Sequence, residues 1–228
     1  MSAETFSPSV QDYAKAVFAL QDRAGAAVST NDLAERLGVT PGSASGMVRK
    51  LADQGLLEHV PYRGVRLTAS GRRLALRVIR RHRLIELFLA EALEMPWDRV
   101  HAEAEVLEHA LSEELEHLIA ERLGHPEVDP HGDPIPSADF QLSGPDTISL
   151  AELPEGVRAR FVRVSDSDPE KLRYLARQEI ALGAVVEVTG REPFGGPLQV
   201  SHEGKSHALG EQLARAMRVA VIAPEAGR

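Results

Sequence analysis

Residues 101–110 read HAEAEVLEHA, which spaces His101, Glu105, Glu108 and His109 at offsets of zero, four, seven and eight. On an α-helix, positions i, i+4 and i+7 share a face, and His109 fans away from Glu108 by about 100°. Imidazole and carboxylate with no thiolate form a donor set that suits Mn2+ or Fe2+ and also accepts Co2+ or Zn2+. Glu105 and Glu108 repel as bare neighbours, a cost that a cation removes. Glu103 points elsewhere and is expected in solvent. The competing reading is a plain acidic helix, because LSEELEHLIA just beyond carries glutamate at similar spacing.

More possible ligands lie upstream. His82 and Glu86 form an i, i+4 pair in RRHRLIELFL. Antiparallel packing of the two helices would set His101 against them. Glu105, Glu108 and His109 then need a partner from outside, and Asp12 on the first helix is available. No motif nearby offers a nucleophile, so an enzyme is not expected.

The 228-residue chain has no cysteine, which excludes disulfides, thiolate zinc sites and cysteine nucleophiles. Its net charge of −8 hides an asymmetry. Arg63 to Arg83 holds eight arginines and no acid, whereas Leu84 to Glu155 holds eighteen acids against two arginines. A basic module therefore precedes an acidic one. MSAETFSPSVQDYAKAVFAL is polar before any apolar stretch and is not a signal peptide. No run approaches the roughly 18 apolar residues of a membrane span. A cytoplasmic protein without membrane contact is expected.

The elements that must position these residues follow from periodicity and caps. Ser9 or Asp12 is expected to cap a first helix, DYAKAVFALQDRAG, with Tyr13, Val17 and Leu20 on one face. NDLAERLG and SASGMVRKLADQG read as two short helices across the turn VTPGS, the second beginning at Ser43 or Ser45. LLEHV and VRLT read as strands around PYRG. This is the plan of a winged helix-turn-helix. A long helix, SGRRLALRVIRRHRLIELFLAEAL, follows, and HAEAEVLEHALSEELEHLIAERLG reads as one further helix. HPEVDPHGDPIPS is too rich in proline to be helical. Short strands after residue 157 read as a compact SH3-like β-barrel. The fold expected is multidomain and mainly α. Residues 1–72 form the DNA-binding domain, 73–140 the helical metal-binding and dimerisation domain, 141–156 a linker and 157–228 the SH3-like domain.

In a helix-turn-helix the second helix enters the major groove by its N-terminal residues. Here Thr40, Pro41, Gly42, Ser43 and Ser45 occupy that end, with Arg49 and Lys50 further along. The serines can donate to phosphates or base edges, and Arg49 and Lys50 suit phosphates. Arg63 and Arg66 sit in the expected wing. Leu84, Leu87, Phe88 and Trp97 offer an apolar seam for a dimer, which would match a palindromic operator in double-stranded DNA. The alternatives are a winged-helix regulator sensing another signal, a metal-dependent enzyme that does not act on DNA, and an interaction module.

The segment around Asp12, TNDLAERLGVTPGSASGMVRKLADQGLL, RRHRLIE, VHAEAEVLEHALSEELE and HPEVDPHGDPIP resemble, in this order, the DtxR/MntR family of iron- and manganese-dependent transcriptional regulators. The resemblance covers nearly the whole chain. It implies a homodimeric, metal-activated DNA-binding protein, most simply a repressor of metal-uptake genes. It implies a primary metal site at Asp12, Glu105, Glu108 and His109, and an ancillary one at His82, Glu86 and His101. Carboxylates at both Asp12 and Glu105, where iron-responsive members carry Met or Cys, favour Mn2+ over Fe2+. The family's two-metal site uses a glutamate where this chain has Lys15, which cannot ligate while charged. An ancillary site completed by Asp166, Asp168 or Glu170 is expected instead. Gly46 stands where some relatives carry glutamine, so operator shape and other side chains carry more of the readout.

Overall fold

The computed structural model describes residues 6–165 and 168–223. It divides into two compact units. The first runs to His82 and adds Glu105–His117 and Pro136–Leu142; the second takes Arg83–Ala104, Leu118–Ile135 and the chain from Ser143 on.

In the first unit, helix α1 spans Pro8–Ala24 and starts after Ser7, earlier than the expected caps Ser9 or Asp12. Pro8 explains the difference: it lacks an N–H and fits the first helical turn, where none is needed. Asp12 therefore lies inside the helix with its side chain available. Helix α2, Thr30–Leu37, is capped by the Ser29 hydroxyl and closed by Gly38 in the left-handed conformation. Helix α3 spans Pro41–Asp53. Its cap is Thr40, whose hydroxyl accepts the N–H of Ser43, so Ser43 and Ser45 sit within its first turns rather than before them. Strands β1, Leu57–Val60, and β2, Gly64–Leu67, pair antiparallel as the wing. Gly64 is required at its base: a Cβ there would stand 2.0 Å from the Val28 carbonyl oxygen, and its φ is +111°. Tyr13, Val17, Leu33, Val48, Leu51 and Val65 bury the core shared by α1, α2, α3 and the wing.

Helix α4 spans Ala69–Leu93, crossing the expected boundary at residues 72 and 73 without a break. The expected single helix over 101–124 is interrupted. Helix α5 covers Val100–Leu107 and helix α6 covers Glu113–Arg122. Ser112 causes the break, since its hydroxyl accepts the N–H of Leu115 and starts a new helix. Glu108 and His109 thus stand in a turn just past α5.

The second unit carries a six-stranded antiparallel sheet in the order β3-β8-β4-β5-β6-β7. The strands are β3 Ile148–Ser149, β4 Arg158–Val164, β5 Val185–Arg191, β6 Leu198–His202, β7 Lys205–Leu209 and β8 Met217–Val221, with helices α7 Pro169–Arg177 and α8 Glu211–Ala216. Phe161, Leu172, Val188, Val200 and Val219 form its core. Part of the segment read as linker belongs to this core: β3 pairs with β8, and Leu150 and Leu153 are fully buried. The proline-rich stretch is held as well. Asp129 accepts the N–H groups of His131 and Asp133 at 2.8 and 2.9 Å, and the His131 carbonyl accepts from Val164 on β4.

The seam expected from Leu84, Leu87, Phe88 and Trp97 is internal. Leu84 and Leu87 are buried, Phe88 is half-buried, and Trp97 packs on the sheet core. Exposed apolar side chains include Val106, Leu107 and Leu115 around the turn that follows α5. Among the described residues no helix is long and apolar enough to cross a membrane.

Candidate metal centre and DNA-facing helix

Asp12 from α1 meets Glu108 and His109 from the turn after α5, with ligand atoms all within 4.8 Å of one another. The helix break makes this convergence possible. On a continuous helix Glu108 and His109 would diverge, whereas a turn lets both point at α1.

A chain of hydrogen bonds orients His109. The Gln11 amide nitrogen donates to the Phe6 carbonyl at 2.8 Å, which leaves the amide oxygen facing His109 Nδ1 at 3.1 Å. An oxygen can only accept, so Nδ1 carries a hydrogen and Nε2 is the nitrogen turned toward Asp12. That nitrogen stands 3.0 Å from Asp12 Oδ1, and this oxygen is buried and makes no hydrogen bond among the described residues. A proton on Nε2 or a metal cation satisfies this pair at the same place. Burial raises the Asp12 carboxyl above its usual range, against the lowering influence of His109 and Lys15.

Two further groups hold the carboxylates. His82 Nδ1 lies 2.5 Å from Glu108 Oε2 and 3.7 Å from Glu105 Oε1. Lys15, three residues beyond Asp12 on α1, places Nζ 2.6 Å from Glu108 Oε1 and 2.8 Å from Glu105 Oε1. Burial alone would raise the Glu108 carboxyl, yet the hydrogen bond with His82 and the Lys15 ammonium hold it below its usual range. Burial of Lys15 is likewise outweighed by Glu108 and Glu105, and its pKa is raised. Sequence reading counts Lys15 only as a non-ligand and passes over Gln11.

A second group forms within the other unit. Glu86, Asp129 and His131 are all buried, with ligand atoms within 4.8 Å. His101 Nδ1 approaches Glu86 Oε1 at 3.2 Å. His131 Nε2 lies 2.7 Å from the Trp97 carbonyl oxygen, so Nε2 carries the hydrogen and Nδ1 the lone pair. Nδ1 has no hydrogen-bond partner among the described residues and faces Glu86 Oε1 at 3.9 Å. Burial, then Asp133 and Glu86, raise the Asp129 carboxyl well above its ordinary value. Such an orphaned lone pair beside buried carboxylates fits a divalent cation. Asp129 and His131 escape sequence reading because proline-rich segments look irregular. The signal was the Asp-Pro-His-Gly turn itself, in which Asp129 binds the N–H groups ahead of it.

The C-terminal acids expected to complete an ancillary site are placed differently. Asp168 caps α7 through the N–H of Glu170, and Glu170 pairs with Arg173. The groups of possible ligands among the described residues include neither. Asp166 lies outside the described residues.

The DNA-facing candidates are all exposed. Thr40, Pro41, Gly42, Ser43, Ser45, Arg49 and Lys50 are exposed on α3 or its cap, and Arg63 and Arg66 are exposed on the wing. The neighbouring arginines of α4 are largely engaged. Arg80 and Arg81 both pair with Glu116 at 3.0 Å, Arg77 faces Glu113, and Arg72 lies over Phe18. Arg83 donates to the Pro134 carbonyl and faces Asp129 and Asp133.

Residues 5–65 match the family described as iron dependent repressor, N-terminal DNA binding domain. Residues 68–137 match iron dependent repressor, metal binding and dimerisation domain, and residues 148–221 match the FeoA domain. The chain is 31% identical over 198 residues to a diphtheria toxin repressor of Corynebacterium glutamicum, covering 82% of this chain and 85% of that protein. It is 34% identical over 131 residues to iron-dependent repressor IdeR of Mycobacterium leprae, matching 54% of this chain and spanning only 57% of the relative. A solved manganese-dependent transcriptional repressor in complex with manganese is similar with TM-score 0.89 at 44% identity, over 93% of this chain and 100% of that one. The structure of ScaR with bound Cd2+ gives TM-score 0.82 at 29% identity, over 93% and 99%. Matched across its DNA-binding and metal-binding segments, the chain belongs to the diphtheria toxin repressor family of metal-dependent, DNA-binding transcriptional repressors, proteins that regulate genes rather than catalyse reactions.

Proposed function

We propose that this protein is a homodimeric repressor activated by Mn2+ in preference to Fe2+, acting in the cytoplasm on a palindromic operator. Co2+ or Zn2+ can substitute at the same donors. The observation that carries this reading is the convergence of Asp12, Glu108 and His109, with His109 Nε2 3.0 Å from the buried Asp12 oxygen. Asp12, Glu108 and His109 hold the activating ion, with Glu105 at its edge. Hard oxygen donors at Asp12 and Glu105 favour manganese chemically. A metal cation there supplies positive charge between the carboxylates and the imidazole.

The chain's own residues turn that charge into a DNA signal. Asp12 is on α1, and Glu108 and His109 follow α5, so drawing them together fixes α1. Helix α1 shares its core with α2 and α3, so fixing it also fixes the recognition helix. This shifts an existing equilibrium toward the binding arrangement. A coupling of this type is typically about 1–3 kcal/mol. Glu86, His101, Asp129 and His131 hold a second ion that steadies the proline-rich segment beside β4. His82 steadies Glu108 from α4, one turn before Glu86. Val106, Leu107 and Leu115 supply apolar surface for the dimer, and the C-terminal sheet closes as an SH3-like barrel. Selection of duplexes from random sequence, with and without Mn2+ and with Fe2+ compared anaerobically, tests the reading. It stands if a palindrome is enriched only with metal and falls if enrichment ignores metal.

A further inference from the structure

Lys15 shares its carboxylate partners with the candidate metal centre, and the geometry gives it a role of its own. Its Nζ bridges Glu105 and Glu108 at 2.8 and 2.6 Å, joining α1 to the end of α5 across 90 and 93 residues of chain. The Glu108 arm is shielded, with the Lys15 side chain 18% and Glu108 0% exposed, whereas Glu105 is 41% exposed. Asp12 and Lys15 are one helical turn apart on α1, so the metal tie and the lysine tie lie side by side. Both act on Glu108. Its Oε1 takes the Lys15 ammonium and also stands 3.7 Å from His109 Nε2, while Oε2 is held by His82.

We propose that Lys15 is a resident cation, a positioning residue that partly docks α1 on α5 without metal and so sets how much metal can change DNA affinity. This rests on the reading of Asp12, Glu108 and His109 as the activating site. An ammonium on a four-carbon stem carries one charge and cannot leave. A divalent ion carries two and dissociates. The lysine therefore supplies a constant fraction of the tethering that the ion completes. Removing it leaves Glu105 and Glu108 to repel each other and loosens α1 against the end of α5 when no ion is bound. With the ion bound, Asp12 and His109 still make the tie. The activation ratio, meaning DNA affinity with metal over affinity without it, should widen when the lysine is lost, because only the metal-free state depends on it.

The test uses the full chain and a duplex selected by metal-loaded wild-type protein. DNA affinity is measured with Mn2+ and with chelator for wild type, Lys15→Met and Lys15→Arg. The expected result for Lys15→Met is a metal-free affinity lower by about tenfold, within the usual size of allosteric coupling, and a metal-saturated affinity within about twofold of wild type. Lys15→Arg, which keeps the charge, should restore most of the metal-free affinity. If Lys15→Met does not fold, Lys15→Arg and Lys15→Gln decide it, the first near wild type without metal and the second weakened. Equal metal-free affinities in charged and uncharged variants overturn the proposal, and so does an equal loss in both metal states. Failure of the underlying reading looks different: wild-type DNA binding would itself not respond to Mn2+.

Discussion

The Gln11 side chain determines which nitrogen of His109 faces Asp12. Its amide nitrogen is committed to the Phe6 carbonyl, so its oxygen accepts from His109 Nδ1 and turns Nε2 toward Asp12. Outer partners that fix a ligand's tautomer commonly matter by about 10–100-fold in metal affinity. Gln11→Leu should weaken Mn2+ binding at this centre by that amount and leave the fold intact, as read by titration calorimetry beside circular dichroism. Unchanged affinity would show that the imidazole is oriented by something else.

The second centre predicts a pH effect of definite sign. Burial holds the folded Asp129 carboxyl well above its ordinary value of 3.8. Between those two values the folded state binds more protons than the unfolded one, so this residue's contribution to stability improves as pH falls. Metal-free protein should therefore lose less stability on mild acidification than Asp129→Asn, which has no such proton to gain. At neutral pH Asp129→Asn should melt no lower than wild type without metal, yet bind one Mn2+ fewer. Chelated samples in a melting series from neutral to mildly acid pH check the first part, and binding stoichiometry checks the second.

For the DNA surface, Arg49 and Lys50 are exposed on α3, whereas Arg80 and Arg81 are held by Glu116. If each meets a phosphate, Arg49→Ala and Lys50→Ala should weaken binding to all sequences alike. Each should also flatten the slope of log affinity against log salt by about 0.9. Ser43→Ala should instead alter which bases are preferred. A changed base preference with an unchanged salt slope for Arg49→Ala would reassign it to base reading.

The dimer surface is testable by charge. Val106 is 71% exposed, a large value for a valine two residues from the buried Glu108. Val106→Glu should shift sedimentation toward monomer at micromolar concentration while the metal-free melting temperature stays near wild type. A dimer that survives this change and Leu115→Glu places the interface elsewhere.

Much of this site is legible in the sequence, though not always for the reason the spacing offers. The winged helix-turn-helix is readable because apolar periodicity and glycine stops mark each short element. Of the group expected at Asp12, Glu105, Glu108 and His109, the ligand atoms of Asp12, Glu108 and His109 lie together, but offsets on a single helix are not what unites them. Ser112 opens a new helix, and the resulting turn swings Glu108 and His109 toward α1. A side-chain cap competing with helix continuity is a local balance that periodicity does not register. Leu84 and Leu87 misled as a dimer seam because an apolar stripe reads the same whether its partner is another chain or its own. Asp129 and His131 stayed hidden because their position depends on contacts with Trp97 and β4, far away in sequence.

The central claim is that Asp12 and His109 together convert metal binding into DNA binding. The most direct measurement is DNA affinity of wild type and His109→Ala across a Mn2+ titration, with folding monitored in parallel. The account predicts that wild type gains affinity with metal by a factor of about 5–150, the range of typical allosteric coupling, while folded His109→Ala stays at the metal-free level throughout. A folded His109→Ala that responds to Mn2+ as wild type does would contradict it.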